Sequence, residues 1–234
     1  MGRGDMTAVL RSVVYTVLFY LGSVPIVSLA ALSAPVSRAG LRYFSKLWSR
    51  WFIFLTKHIL GIRLVVEGEV PQHAVIVAAK HQSAYETILV LFLFDDPATV
   101  MKAELMKIPV WGYVAKRQGC IPINRDASVG AMRTMMRAAQ DARAADRPII
   151  IFVEGTRVPV GEAPAIKPGF VGLYRTLKLP VVTVALDSGR VWPKGLVKHA
   201  GTITVRFGEA IPPGLDRETI ETRVHTAINA FNPT

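Results

Sequence analysis

Ala74-Val75-Ile76-Val77-Ala78-Ala79-Lys80-His81-Gln82-Ser83-Ala84-Tyr85-Glu86-Thr87 changes character twice within fourteen residues. Ala74–Ala79 is apolar and rich in β-branched residues, the composition of a buried strand. The residues from Ile88 to Phe94 are apolar without turn residues and read as the body of a helix. The polar residues between them therefore occupy a strand-to-helix turn. His81 stands five positions before Glu86, and on one continuous helix such a pair would diverge by roughly 140°. Across a turn the two can meet. The carboxylate would then fix one imidazole nitrogen and leave the other as a general base. Ser83-x-x-Glu86 is equally a capping box, in which Glu86 only satisfies the start of a helix and His81 is a polar loop residue. On these residues both readings stand.

Outward from this turn the pattern is α/β. Strands are expected at Ile62–Val66, Ala74–Ala79, Thr99–Met101, Cys120–Asn124, Pro148–Val153, Val181–Leu186 and Thr202–Phe207. Helices are expected up to Phe94, from Asp126 or Ser128 to Ala145, over Gly169–Lys178 and over Glu218–Phe231. Alternation of this kind predicts a mostly parallel mixed sheet covered by helices on both faces. Ligands in such sheets gather beyond the carboxyl ends of strands. Three polar clusters fall there: His81 with Glu86, Asn124-Arg125, and Glu154-Gly155-Thr156-Arg157. Gly155 permits close backbone approach, Thr156 offers a hydroxyl, and arginine forms forked contacts to phosphate oxygens.

The first 61 residues are of another kind. Between Ser12 and Ser37 there is no charged residue. As a helix this run is about 39 Å long, against a hydrocarbon core of about 30 Å. Pro25 near its middle predicts a kink or a split, so spanning the bilayer and re-entering one leaflet both fit. A cleaved signal peptide fits less well, because the apolar run is long and Leu32-Ser33-Ala34 is followed by Pro35. Next, Leu41, Phe44, Trp48, Trp51, Phe52, Leu55 and Ile59 recur at helical spacing, with Arg42, Lys46, Arg50 and Lys57 on another face. This predicts a helix lying in a membrane interface, with packing on the protein core as the alternative. The expected organisation is a membrane-associated N-terminal two-helix motif over residues 1–61 and an α/β domain over 62–234.

Charge and hydropathy agree with that division. The 234 residues carry a formal +11, of which residues 1–63 hold eight Arg and Lys against the single acid Asp5. Mean hydropathy is +0.34. Basic residues clustered beside the most apolar segment favour an anionic membrane surface over nucleic acid, and hold that side in the cytoplasm. The lone Cys120 excludes an intrachain disulfide and a cysteine metal cluster, and its apolar neighbours predict a packed thiol. No Gly-x-Ser-x-Gly elbow exists, which disfavours a serine hydrolase.

Four blocks in order, His81-x4-Glu86, Gly119-Cys120-Ile121-Pro122-Ile123-Asn124-Arg125, Phe152-Val153-Glu154-Gly155-Thr156-Arg157 and Leu179-Pro180-Val181-Val182-Thr183-Val184-Ala185, resemble those of the glycerolipid acyltransferases. Within them the 1-acyl-sn-glycerol-3-phosphate (lysophosphatidic acid) acyltransferases are nearest in pattern. The resemblance runs from about Ile62 to Phe207, and a membrane-associated N-terminal extension is also typical. Two departures stand out: the first block usually ends in aspartate where this chain has Glu86, and the third usually has proline where it has Val153.

The resemblance implies acyl transfer from an acyl thioester, acyl-CoA or acyl carrier protein, to the sn-2 hydroxyl of lysophosphatidic acid, giving phosphatidic acid. It makes His81 the general base and Glu86 its orienting carboxylate. Arg125, Arg157 and Thr156, with Gly155, would hold the substrate phosphate while Glu154 orders their loop; Lys102 and Lys167 are secondary candidates. No metal or cofactor is implied, and the enzyme would sit on the cytoplasmic face of the cytoplasmic membrane. Alternatives are another lysolipid acceptor, such as a lyso-ornithine lipid, or a non-enzymatic membrane-surface binding protein.

Overall fold

The computed structural model describes residues 3–123 and 129–232. Seven strands form one sheet: β1 (Ile62–Glu67), β2 (Ile76–Ala79), β3 (Ala98–Lys102), β4 (Ile121–Ile123), β5 (Ile149–Phe152), β6 (Val181–Leu186) and β7 (Gly201–Ile211). Their order is β1-β7-β6-β2-β5-β3-β4, and every neighbouring pair is parallel except β6 with β7. The expected fold class is borne out. Lys102 is the last residue of β3, one position earlier in the fold than a loop assignment gives it.

Side chains alternate across each strand, so two cores form. On one face Ile76, Ala78, Ile149, Ile151 and Val181 pack beneath α5 (Val129–Ala144), α6 (Pro168–Leu177) and α7 (Arg217–Ile228). On the other, Val75, Val77, Ala79, Ile150, Val182 and Val184 meet α3 (Tyr85–Leu93) and side chains from the N-terminal helices α1 (Arg3–Ser33) and α2 (Arg38–His58). A short helix α4 (Trp111–Arg117) follows a 3₁₀ turn at Ala103–Lys107.

The N-terminal helices behave differently from the expectation in three respects. First, α1 continues through Pro25, so the split does not occur. Second, the apolar stripe of α2 turns inward. Leu41, Phe52 and Leu55 are buried, Phe52 stacks near Tyr85 and Trp192, and Trp48 packs on Phe19 and donates to Ser23 Oγ of α1 at 2.8 Å. Core packing, the alternative, is what this stripe does. Third, much of its basic face is paired: Arg38 and Arg42 reach Asp96 at 3.4 and 3.5 Å, and Lys46 reaches Asp95 at 3.2 Å. The surface left apolar and exposed belongs mainly to α1, through Leu10, Val17, Tyr20, Leu21, Val24 and Leu32.

Helix α1 is fastened to the α/β domain at two points, Ser12 within its first half and Ala34 just past its end. Ser12 Oγ accepts from Lys198 N at 2.8 Å, and the Ala34 carbonyl, just past the helix, accepts from Arg117 at 2.7 Å. Those anchor points are about 33 Å apart along a helix. A helix tied to one domain at two points this far apart lies along it, exposing a single stripe.

Candidate active site

The site forms where β2, β5 and β6 end on the same edge of the sheet. Their order brings three loops together, those following Ala79, Phe152 and Leu186. His81 occupies the first loop, with its ring stacked on Phe152 at 4.3 Å between centroids. Its backbone is clamped on both sides. The N–H donates to Glu154 Oε2 at 2.9 Å, and the carbonyl accepts from Val158 N at 2.7 Å.

Glu86 lies in the first turn of α3, with a side chain only 2% exposed. Its Oε1 is 3.0 Å from His81 Nδ1 and accepts from the Gln82 and Ser83 amides, each at 2.6 Å. Its Oε2 accepts from the Ser83 and Ser188 hydroxyls at 2.6 and 2.7 Å. The histidine-orienting and capping readings are thus not rivals, because one carboxylate makes both sets of contacts. The amide bonds immobilise it, and the immobilised oxygen sets the imidazole. Burial by itself pushes the Glu86 carboxyl up. The His81 hydrogen bond and charge, with the Ser83 bonds, outweigh it and hold the group below the usual carboxylate range. An ionised Glu86 accepts only, so Nδ1 carries the proton and Nε2 is the basic nitrogen.

Glu154 is buried, and its carboxylate is taken up by its own supports. Lys80 Nζ donates to Glu154 Oε1 at 2.9 Å, to the Glu162 carbonyl at 3.0 Å and to Asn229 Oδ1 at 2.7 Å. With its other oxygen on the His81 amide, Glu154 orders the loop and makes no phosphate-facing surface. Gly155 follows at φ +67°, where a Cβ would sit 3.1 Å from Lys167 Cγ. That turn projects Thr156 and Arg157 into solvent before Val158 returns to the His81 carbonyl. Arg157 also acts on Lys198, whose ammonium is held below its usual range by burial first and the arginine's charge second. Lys102 ends β3, two strands from β2 and roughly 10 Å away at normal strand spacing. Arg125, with Asn124, lies outside the described residues.

Four contributors were not singled out in the sequence: Lys80, Phe152, Ser188 and Asn229. Ser188 had a usable signal, since Asp187-Ser188-Gly189 directly follows an apolar strand, as the other clusters do. Gly189 N donates to Gln82 Oε1 at 3.0 Å, which ties this loop to the histidine loop as well. Lys80 and Asn229 are separated by 149 positions, and no local pattern couples them. Cys120 is beside none of these groups; burial pushes its thiol up to about 11, away from nucleophilic duty at neutral pH.

Comparison with known proteins places this geometry. The Acyltransferase family model matches residues 62–187, from β1 to the loop after β6. The 1-acyl-sn-glycerol-3-phosphate acyltransferase of Pseudomonas aeruginosa is 33% identical over 205 residues, covering 84% of this chain and 80% of that protein. The human 1-acyl-sn-glycerol-3-phosphate acyltransferase beta is 27% identical over 191 residues, covering 79% and 69%. The crystal structure of the 1-acyl-sn-glycerophosphate (LPA) acyltransferase PlsC from Thermotoga maritima superposes with a TM-score of 0.74 at 21% identity, over 94% of this chain and 95% of that one. The fold is therefore shared from the N-terminal helices to the C-terminus. By the family match and the Pseudomonas similarity, the chain belongs to the acyltransferase family.

Proposed function

We propose that the protein transfers an acyl chain from an acyl thioester to the sn-2 hydroxyl of lysophosphatidic acid, giving phosphatidic acid. The observation that carries this reading is the His81–Glu86 pair, with Nδ1 held at 3.0 Å and the ring fixed by Phe152. Nε2 removes the hydroxyl proton as the oxygen attacks the thioester carbonyl carbon. The new C–O bond forms, and the tetrahedral oxyanion collapses with cleavage of the C–S bond. The departing thiolate takes the proton back from the imidazolium. Glu86 stabilises that imidazolium between the two transfers, and base catalysis of this kind contributes roughly 10²–10⁴-fold. No acyl-enzyme is needed, because a thioester is already activated.

Thr156 and Arg157, exposed on the loop that returns to His81, are positioned to receive the acceptor's phosphate, and Lys198 adds positive charge behind Arg157. Lys102 and Arg125 would approach from the β3–β4 side. The exposed stripe of α1 supports an in-plane attachment to one leaflet, which leaves the lysolipid's hydroxyl at the level of the site. The basic N-terminal segment favours the cytoplasmic face. The donor carrier, CoA or acyl carrier protein, is anionic in both cases and suits the same surface.

The test is transfer of labelled acyl groups from acyl-CoA and, separately, acyl carrier protein to lysophosphatidic acid in mixed micelles. Wild type is compared with His81→Ala, with other lysolipids alongside. Phosphatidic acid that disappears in a folded His81→Ala variant is the expected result. Transfer only to another lysolipid would move the substrate assignment. Inactivity of the wild type with every donor and acceptor would overturn the reading.

A further inference from the structure

Between β5 and α6, residues 153–167 run without helix or strand, and they carry Glu154, Thr156 and Arg157. A stretch of this length inside a compact domain is either disordered or held for a purpose. Part of the holding is local: Val158 N donates to the His81 carbonyl at 2.7 Å, and Lys167 N to the Val153 carbonyl at 2.9 Å. The rest comes from the far end of the chain.

Helix α7 is mounted on the core by Ile220, Val224 and Ile228, each 0% exposed, so its last turn is a fixed point. Side chains from that turn and the residues just after it reach the loop. His225 Nε2 lies 3.1 Å from the Ala163 carbonyl, and since a carbonyl only accepts, Nε2 carries the proton. Asn232 Nδ2 donates to the Glu162 carbonyl at 3.1 Å. Asn229 Oδ1 accepts from Lys80 Nζ at 2.7 Å and from Asn232 Nδ2 at 3.1 Å. Phe231 is held from the other side. Its carbonyl accepts from Arg190 at 3.2 Å, and the Arg206 guanidinium lies over its ring at 4.7 Å.

Asn229 is the centre of these contacts. A lysine ammonium has three N–H donors and no acceptor. Lys80, 1% exposed, directs one to Glu154 Oε1, one to the Glu162 carbonyl and one to Asn229 Oδ1. Asn229 therefore completes the set. Its amide cannot turn over, because Nδ2 donates to the His225 carbonyl at 2.7 Å and caps the helix. Without Asn229 a buried N–H is left unpaired, the ammonium is free to pivot, and Glu162 and Asn232 lose a common anchor. Glu154, whose Oε2 holds the His81 amide at 2.9 Å, rests on the same ammonium.

We propose that the C-terminal turn of α7 clamps the acceptor-binding loop, and that Asn229 is a positioning residue acting through Lys80. It touches no reacting atom. Its part is to keep Thr156 and Arg157 in one place relative to His81, so that a phosphate bound there presents its neighbouring hydroxyl to Nε2. The clamp stands on the contacts alone; its effect on the acceptor rests on the proposed reading of Thr156 and Arg157 as the phosphate site.

The experiment combines hydrogen exchange over residues 154–167 of the full-length protein in neutral micelles with steady-state transfer from acyl-CoA to lysophosphatidic acid. Asn229→Leu removes both polar groups at similar size. Asn229→Asp keeps the acceptor for Lys80 but loses the donor to His225 and sets a negative charge at the helix C-terminus, where it is disfavoured. If Asn229 only capped α7, the aspartate would be at least as harmful as the leucine; as a positioning residue it is the milder change. Asn229→Leu is expected to speed exchange of the loop and raise the KM for lysophosphatidic acid about tenfold, the scale of one charge-assisted hydrogen bond. Because Glu154 keeps both Lys80 and His81, kcat and the donor's KM should change little. Asn229→Asp should restore most of the loop order and of the KM. Equal or greater harm from the aspartate overturns the positioning role, and unchanged exchange in Asn229→Leu overturns the clamp. Faster exchange with a wild-type KM would overturn the link to the acceptor and count against the phosphate reading, not the clamp. If Asn229→Leu does not fold, Asn232→Ala decides: unchanged exchange over 154–167 then overturns the clamp.

Discussion

Replacing Glu86 by glutamine separates the two duties of this side chain. In the native site Oε1 receives three donors, His81 Nδ1–H and the Gln82 and Ser83 amides. Oε2 receives two hydroxyls, which can rotate to accept instead. A glutamine therefore has one satisfied orientation, with its oxygen at the Oε1 position and its NH₂ toward Ser83 and Ser188. The bonds at the Oε1 position are kept, the two serines turn from donors to acceptors, the imidazole keeps its tautomer, and the cap survives. What disappears is the negative charge beside the imidazolium. With charge centres about 4 Å apart and an effective dielectric constant near 20, that attraction is worth ~4 kcal/mol. Converted at 1.36 kcal/mol per decade, the turnover number should fall about 10³-fold.

Stability should behave differently from turnover. The native Glu86 carboxyl is held below its ordinary range, so its ionisation stabilises the fold above the unfolded-state pKa of ~4.3, and that contribution is lost as pH falls through the lowered native value. The glutamine variant lacks this acid-side loss, so its stability should depend less on pH in that window. Pre-steady-state transfer kinetics and urea melts across acidic pH read the two effects. Wild-type turnover in Glu86→Gln would refute the electrostatic role. A collapse of stability at neutral pH would show that the amide cannot keep the network, and that the residue acts first as a cap.

Three further outcomes follow from particular contacts. Lys80→Met leaves Glu154 as an uncompensated buried charge and should cost about 3–5 kcal/mol in a urea melt. Most of that should return in the double variant Lys80→Met/Glu154→Gln if the charge is the cause. Ser188→Ala removes one donor from Glu86 Oε2, and such bonds are worth roughly 1.5–3 kcal/mol; about a tenfold drop in kcat with KM unchanged is expected, and a KM effect alone would place Ser188 in substrate binding instead. Deleting residues 1–60 strips Tyr15, Phe52, Leu55 and Leu60 from the core shared with Tyr85 and Trp192. At about 1.5–3 kcal/mol for each large side chain, the loss rivals a whole domain's stability of ~5–15 kcal/mol. The truncated chain should aggregate rather than leave the membrane as a folded soluble domain, and a monodisperse, cooperative unfolder on size exclusion and melting would contradict this.

The turn at 80–87 could be read in sequence because its message is local. A β-branched apolar run, a polar break and an apolar helix each impose their own period on the backbone. The pairing of His81 with Glu86 needs only that turn. The aromatic stripe of α2 was misjudged for an equally physical reason. A stripe at helical spacing states that one side avoids water, not whether lipid or protein covers it, and here α1, Tyr85 and Trp192 cover it. The exposed apolar surface belongs mainly to α1 instead.

By itself the sequence determined most of the strands and helices, that the sheet is largely parallel, and that a histidine and a carboxylate stand within reach of each other at a strand end. These follow from periods of two and 3.6 residues and from the reach of a short turn. Only the tertiary structure decided who holds that pair in place. Strand order β6-β2-β5 sets Ser188 against Glu86 across 102 positions and Glu154 against Lys80 across 74. Buried polar groups must be satisfied by whatever the sheet brings beside them, and no spacing along the chain records that choice.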